Sequence, residues 1–394
     1  MPVARLVSYV IGAVTVRLAD DGARIALLLF ALERLDWAGA GGLLVAGLML
    51  PHVVAAPGIG LLADRARRPA LAVGCLALGF ALSLALTAVT LGHIPFGLSL
   101  LIVLLGGSCG PALTGGLSSQ LSRLTAPSAR ARAFGVDSMT YNIAGIAGPA
   151  LAGLVAGFAG ATAACLLMAG LAVVGAIVVA TLPVRRDGLV ARDGPSLTAG
   201  VRAIAGDRRL ATVVIASTVG QLGPGAVPVV ITAAAAAHHR ASAAGLMLTV
   251  VAVGALVGSL VWTARPAPVR WAPEVLMLGM CATGLPLVVG VVTTELSWLT
   301  AALAVSGLFL GPLVGALFTA RDALAPDDVR AQVFTIAAGL KITGAATGAA
   351  VLGLIAGAPL WLQFLLVALN PVAAGLLGLI ALRTKAVSRE PASR

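Results

Sequence analysis

The charges best placed to do chemistry in this chain sit where charges are costly. Arg17, Asp20, Asp21 and Arg24 fall in the segment Arg17-Leu-Ala-Asp20-Asp21-Gly22-Ala-Arg24, inside the first long apolar run. Their i, i+3, i+4, i+7 spacing puts all four on one face of a helix. Each ionised group at mid-bilayer costs ~2.5–3.5 kcal/mol on insertion scales, so the stripe must face a wet cavity or other helices rather than lipid. One reading is a set of mutually neutralising charges that only fixes packing. The other makes Asp20 or Asp21 a proton carrier, poised between dry surroundings and neighbouring guanidinium groups.

Other polar groups inside apolar runs extend this set. Lys341 shares a helix face with Gly344, Ala345 and Gly348 and needs a carboxylate, water or an anionic ligand. Asp20 or Asp21 is its expected partner, with a substrate anion as competitor. Gln221-Leu-Gly223-Pro224-Gly225 offers polarity without charge, and His52, between Pro51 and Pro57, is either a second proton site or a hydrogen-bonded structural histidine. Asp137 and Tyr141 share a face further on, near a helix end. Cys75, Cys109, Cys165 and Cys281 lie in apolar runs without a C-x-x-C pair, and His238-His239 is too small a set for a metal site. No metal or cofactor is expected, and no nucleophile–base pair of an enzyme is present.

The elements that must position these groups are membrane helices. Hydrophobic residues make up 59% of the 394 positions and charged residues 10%, against roughly 25% charged in soluble domains. The apolar material falls into runs of ~20 residues, the length that crosses ~30 Å of hydrocarbon. Twelve spans are expected at roughly 7–32, 40–62, 70–91, 96–122, 133–158, 160–182, 210–233, 241–264, 273–293, 297–320, 331–357 and 359–382. The first is read as a span and not a cleavable leader, because it is long, charged and runs straight into the second. With the N-terminus in the cytoplasm, twenty-one of the 26 Lys and Arg residues fall in cytoplasmic segments, Arg321 among them. That is the positive-inside bias, so both termini are expected in the cytoplasm and the net charge of +11 reports topology in the cell membrane, not nucleic-acid binding.

The chain also repeats itself. Leu124-Thr-Ala-Pro127 and Arg130-Ala-Arg-Ala-Phe134 recur as Leu324-Ala-Pro326 and Arg330-Ala-Gln-Val-Phe334, and Gly148, Gly153 and Leu154-Val-Ala-Gly157 recur as Gly348, Gly353 and Leu354-Ile-Ala-Gly357, at an offset of 200 residues except for the Ala-Pro pair, which is offset by 199. Six spans separate the copies, so the halves share orientation. The expected organisation is an N-terminal six-helix bundle over 1–183, an Arg-rich cytoplasmic linker over 184–209, and a C-terminal bundle over 210–394 with a short basic tail.

Two segments carry a family resemblance. Gly60-Leu-Leu-Ala-Asp64-Arg65-Ala-Arg67-Arg68, between spans two and three, resembles the Gly-x-Leu-Ala-Asp-Arg-x-Gly-Arg signature of the major facilitator superfamily, with Arg67 in place of the loop glycine and Pro69 where a basic residue is common. The resemblance implies a cytoplasmic gate of Gly60, Asp64, Arg65 and Arg68, with Asp64 pairing across the halves. The start of span eleven near Ala331, a positive helix end, is its expected partner. The matching loop of the second half, Arg265-Pro-Ala-Pro-Val-Arg270, lacks the Asp, so no symmetric lock is expected there. Span five, with Gly135, Gly148, Pro149 and Gly153, is similar to the Gly-Pro signature of the superfamily's exporters. Its expected role is close packing and a proline bend. The stripe in span one resembles the first span of siderophore- and macrolide-exporter-like members, and the resemblance puts spans one, four, seven and ten along a central path.

Taken together, these features imply a monomeric, all-α, twelve-helix secondary transporter with two parallel-related six-helix bundles. Its expected partners are protons, a small-molecule substrate and the lipid bilayer. The expected activity is proton-coupled export of small lipophilic drugs or metabolites by alternating access. The rival readings are uptake by proton symport and a non-transporting receptor or scaffold of the same fold.

Overall fold

The computed structural model describes residues 3–35, 39–184, 196–355 and 357–383. Among these the chain is helical apart from short turns. Eleven segments are long and apolar enough to cross a membrane: Ala40–Arg65, Pro69–Thr90, Phe96–Leu124, Pro127–Ala159, Ala161–Ala180, Arg208–Ala235, Ala243–Ala264, Val269–Val292, Leu296–Leu324, Arg330–Leu354 and Leu360–Arg383. They are spans two to twelve below. Span one is the 32-residue helix Val3–Arg34, long enough to cross and set apart from the others by its four internal charges.

The interruptions in these helices have local causes. Span two restarts at Pro51, whose missing N–H and fixed φ suit a first helical turn. In span four the ring of Pro111 removes a backbone donor, and a π-helical turn, Ala112–Gly116, follows at once. Span seven is two helices, Arg208–Val219 and Leu222–Ala237, with Gln221 at the break. Span nine tightens to a 3₁₀ turn, Leu285–Val288, at Pro286. Pro149, by contrast, lies inside the uninterrupted helix Arg130–Ala159.

Lipid tails are as apolar as the helices, so association rests on close packing and small residues. Spans eight and ten interlock through Gly254, Gly258, Gly307 and Gly311: a methyl added at Gly254 would meet the Ala304 carbonyl at 2.7 Å, and one at Gly311 would strike the Ser259 backbone. Spans one and six meet through Gly12 and Gly175, where a methyl would approach Val179 and Val16 side chains to 2.9 and 2.6 Å.

The helices gather into two compact units, one of Met1–Arg130, Thr140–Ala203 and Pro326–Gly339, the other of Ala131–Met139, Ile204–Ala325 and Leu340–Arg394. This departs from the division expected at the linker in one respect. The first turns of span eleven pack with the first unit, and those of span five pack with the second. The linker also divides: its C-terminal part forms a helix, Ala199–Gly206, while 185–195 lie outside the described residues.

Candidate functional site

The stripe in span one divides into two sets of contacts. Arg24 holds both carboxylates, with Nη2 2.9 Å from Asp20 Oδ2 and Nη1 3.0 Å from Asp21 Oδ1. Asp20 is buried, its side chain only 4% exposed, and its Oδ1 lies buried without a hydrogen-bond partner; the Asp21 side chain is 22% exposed. Arg17 turns toward spans four and five instead. It donates from Nη2 to Ser118 Oγ at 2.9 Å and from Nη1 to Thr140 Oγ1, and stacks 3.6 Å from the centre of the Tyr141 ring. Ser118 and Tyr141 are themselves 3.1 Å apart. The π-turn of span four stands directly before Ser118, a placement common beside functional groups.

The glycines of span five explain how a helix comes so close to this stripe. At Gly148 an added methyl would lie 2.9 Å from the Gly22 nitrogen and 2.9 Å from the Leu18 carbonyl oxygen, and at Gly145 it would stand 4.0 Å from Asp21 Oδ2. The other glycines of this segment meet different surroundings. Gly153 faces open space among the described residues, and Gly135 packs in the other unit against Thr263 and Trp262. Pro149, beside Gly148, leaves its helix unbroken.

His52 is fully buried in the first unit. The ring occupies the space left by Gly110, where any Cβ would collide with the imidazole. Gln221 and Lys341 belong to the second unit, each half-buried. Around the break at Gln221 the helices touch backbone to backbone: Gly225 lies against Ala345, Gly344 against Thr218 and Gly348 against Leu222. The freed amide of Gly223 finds Asn370 Oδ1 at 2.8 Å.

Asp64, the residue expected at the gate, is fully buried and accepts two backbone amides at the start of span eleven, Ala331 at 3.0 Å to Oδ1 and Gln332 at 2.8 Å to Oδ2. These are orphan donors of a helix N-terminus, where a carboxylate also meets the favourable end of the helix dipole. Gly60, one turn earlier, makes room: a side chain there would strike the Gln332 backbone. Thr335 seals the seam by donating to the Ala56 carbonyl at 2.8 Å. Arg65 and Arg68 are exposed, and the guanidinium of Arg123 lies 3.8 Å from Asp64 Oδ1.

The second unit has a counterpart without a carboxylate. The indole N–H of Trp262 donates to the Ala131 carbonyl at 3.2 Å, and Ser138 donates to Ser259 Oγ at 3.1 Å. The corresponding place in the second half thus holds hydrogen bonds between neutral groups and no carboxylate among the bonds described. Buried ionic groups also stand where sequence reading saw a loop. Arg321, counted above among the cytoplasmic charges, is 1% exposed and donates to Ser217 Oγ at 3.3 Å, and Asp322 beside it is 5% exposed. Span ten runs on to Leu324, beyond the expected end at 320, and carries both inward. Asp137, read as an ordinary gate residue near a helix end, is fully buried as well. An arginine followed by an aspartate in the last turn of an unbroken apolar helix is the signal that could have found the pair.

The comparisons agree with this architecture. The sequence profile of the Major Facilitator Superfamily matches residues 9–222, more than half of the chain. An uncharacterized MFS-type transporter of Sinorhizobium fredii, y4rN, is 26% identical over 382 residues, spanning 94% of this chain and 93% of the relative. Among solved structures, a bacterial homologue of the iron transporter ferroportin in an outward-facing state superposes with a TM-score of 0.76 at 14% identity, covering 98% of this chain and 100% of that one. The E. coli fucose:proton symporter FucP gives 0.75 at 14% identity over 95% and 97%, and the human organic anion transporter MFSD10 gives 0.71 at 15% over 97% and 99%. At such identities the structures show a common fold. With the profile match over more than half its length, the chain belongs to the Major Facilitator Superfamily, whose members are membrane transporters and not enzymes.

Proposed function

We propose that this transporter exports small, largely apolar molecules in exchange for protons, by alternating access. One observation carries the coupling: two adjacent carboxylates share a single guanidinium inside a membrane helix, and one of them, Asp20, keeps a buried oxygen without a partner. A group in that state can take a proton without breaking its bond to Arg24, and so can carry charge between two states. Asp20 and Asp21 are the coupling pair, with Arg17, His52, Gln221 and Lys341 as further polar groups of the transport path.

The apolar character of the substrate is supported by a cavity of about 140 Å³ inside the second unit, lined by Val227, Leu248, Val251, Leu287, Leu303 and neighbouring residues. Its polar edge, Ser306, is already spent on the Thr283 carbonyl at 2.7 Å. Such a surface favours an aliphatic or aromatic group and gives nothing to a sugar or a free ion. The protein works in this reading as a monomer in the cell membrane, with both termini cytoplasmic.

The test is counterflow and pH-driven flux of lipophilic drugs and metabolites in vesicles of known orientation. Export predicts accumulation in inverted vesicles with an acidic lumen. Uptake driven by protons moving in the same direction would install the symport reading, and absence of flux across the panel would favour a receptor.

A further inference from the structure

We propose that Gln332 is a positioning residue that straps the linker between the halves to the cytoplasmic gate, so that linker release and gate opening are coupled. The inference rests on the gate reading of Asp64 and extends it to a segment without a role so far. Gln332 is fully buried and is held on both sides. Its backbone N–H donates to Asp64 Oδ2 at 2.8 Å. Its side-chain amide is spent entirely on linker backbone: Oε1 accepts the Gly200 N–H at 2.6 Å, and Nε2 donates to the Ser196 carbonyl at 3.1 Å. All of these residues belong to one compact unit.

The linker is shaped for this contact. Gly200 lies in the first turn of the helix Ala199–Gly206, where amides have no acceptor within the helix, and Gln332 supplies one. A methyl at Gly200 would come within 2.6 Å of Gln332 Cβ, 2.9 Å of its Oε1 and 3.0 Å of Ile336 Cδ1, so only glycine allows the approach. Leu197 lies on the other flank, its Cδ1 3.9 Å from where a methyl at Gly58 in span two would stand. The strap thus touches both sequence halves at the Asp64 seam. When the start of span eleven leaves Asp64, Gln332 leaves with it. The linker must then either follow, away from span two, or surrender two buried hydrogen bonds.

The experiment is limited trypsin digestion of the full-length protein in nanodiscs, following cleavage after the exposed Arg202 by mass spectrometry. Gln332→Ala removes the clasp but keeps the backbone amide that Asp64 binds, and Gly200→Ala attacks the clasp from the linker side. Both should speed cleavage at Arg202 about tenfold, and agreement between them guards against misfolding of either one. Asp64→Asn acts at the carboxylate and leaves both Gln332 side-chain bonds in place, yet should also speed cleavage several-fold. An unchanged rate in Gln332→Ala and Gly200→Ala overturns the strap. Acceleration in those two but not in Asp64→Asn overturns the coupling and leaves a passive tether. Failure of proton-driven flux with all three accelerations intact would instead count against the proposed export activity alone.

Discussion

The guanidinium of Arg17 lies 3.6 Å from the centre of the Tyr141 ring, in a plane that also lets it donate to Ser118 and Thr140. One cation thereby ties spans one, four and five together. Lysine is a point charge and cannot fill this planar, forked site. Arg17→Lys should therefore cost about 1–3 kcal/mol, seen as a lowered Tm in lipid–detergent micelles. Tyr141→Phe keeps the ring under Arg17 and loses the hydroxyl's bond to Ser118, and should cost under about 1 kcal/mol. Equal losses in the two variants would show that stacking is not what holds Arg17.

Asp20 and Asp21 share Arg24, so replacing either with Asn leaves the other paired. The variant that loses the coupling group should abolish pH-driven accumulation while keeping substrate exchange down its own gradient. Substrate-induced proton release from purified protein separates the two. Retention of release by both Asn variants would remove the stripe from coupling and turn attention to His52 or Asp137.

Asp64→Asn keeps the size of the gate residue but leaves one acceptor oxygen for the two amides of Ala331 and Gln332. Losing a charge-assisted bond at a helix N-terminus costs about 1.5–3 kcal/mol, on the order of tenfold or more in the closed-to-open ratio. Labelling of a cysteine placed on the cytoplasmic side should rise accordingly, with expression unchanged and transport sharply lower. Wild-type labelling and transport would reduce the loop to a topology signal.

Two glycines of the same span-five motif should differ. Gly148→Ala forces a methyl against the backbone of Gly22 and Leu18, a clash worth about 1–3 kcal/mol of overpacking. Gly153→Ala enters open space and should leave Tm within error. A matched loss at both positions would mean that the motif acts as one packing surface.

Topology follows from the placement of arginine. Reporters fused after Arg389 and within the loop 185–209 should read cytoplasmic, and one near His238 should read external. An opposite result at any of the three would remove the twelve-span arrangement.

By itself the sequence determined the helices, their number and the repeat, because crossing hydrocarbon demands long apolar runs that nothing else in a chain imitates. It also marked Arg17, Asp20, Asp21, Arg24 and Asp64 as groups needing partners, since charge in such runs is too costly to be idle. What it could not supply was the partner, because residues facing one another in a bundle are set by packing between helices far apart in the chain. Spacing grouped Arg17 with the aspartates, and only the fold turned it to Ser118, Thr140 and Tyr141. Loop counting placed Arg321 in water, and only the extension of span ten put it beside Ser217. The second half lacks the aspartate, so no symmetric lock was expected there, and only the fold showed Trp262 donating to the Ala131 carbonyl. Asp64 lies 268 residues from Gln332, and local propensity carries no trace of a contact at that distance. Tertiary packing decided it, through a glycine small enough to let one helix end reach a carboxylate on another.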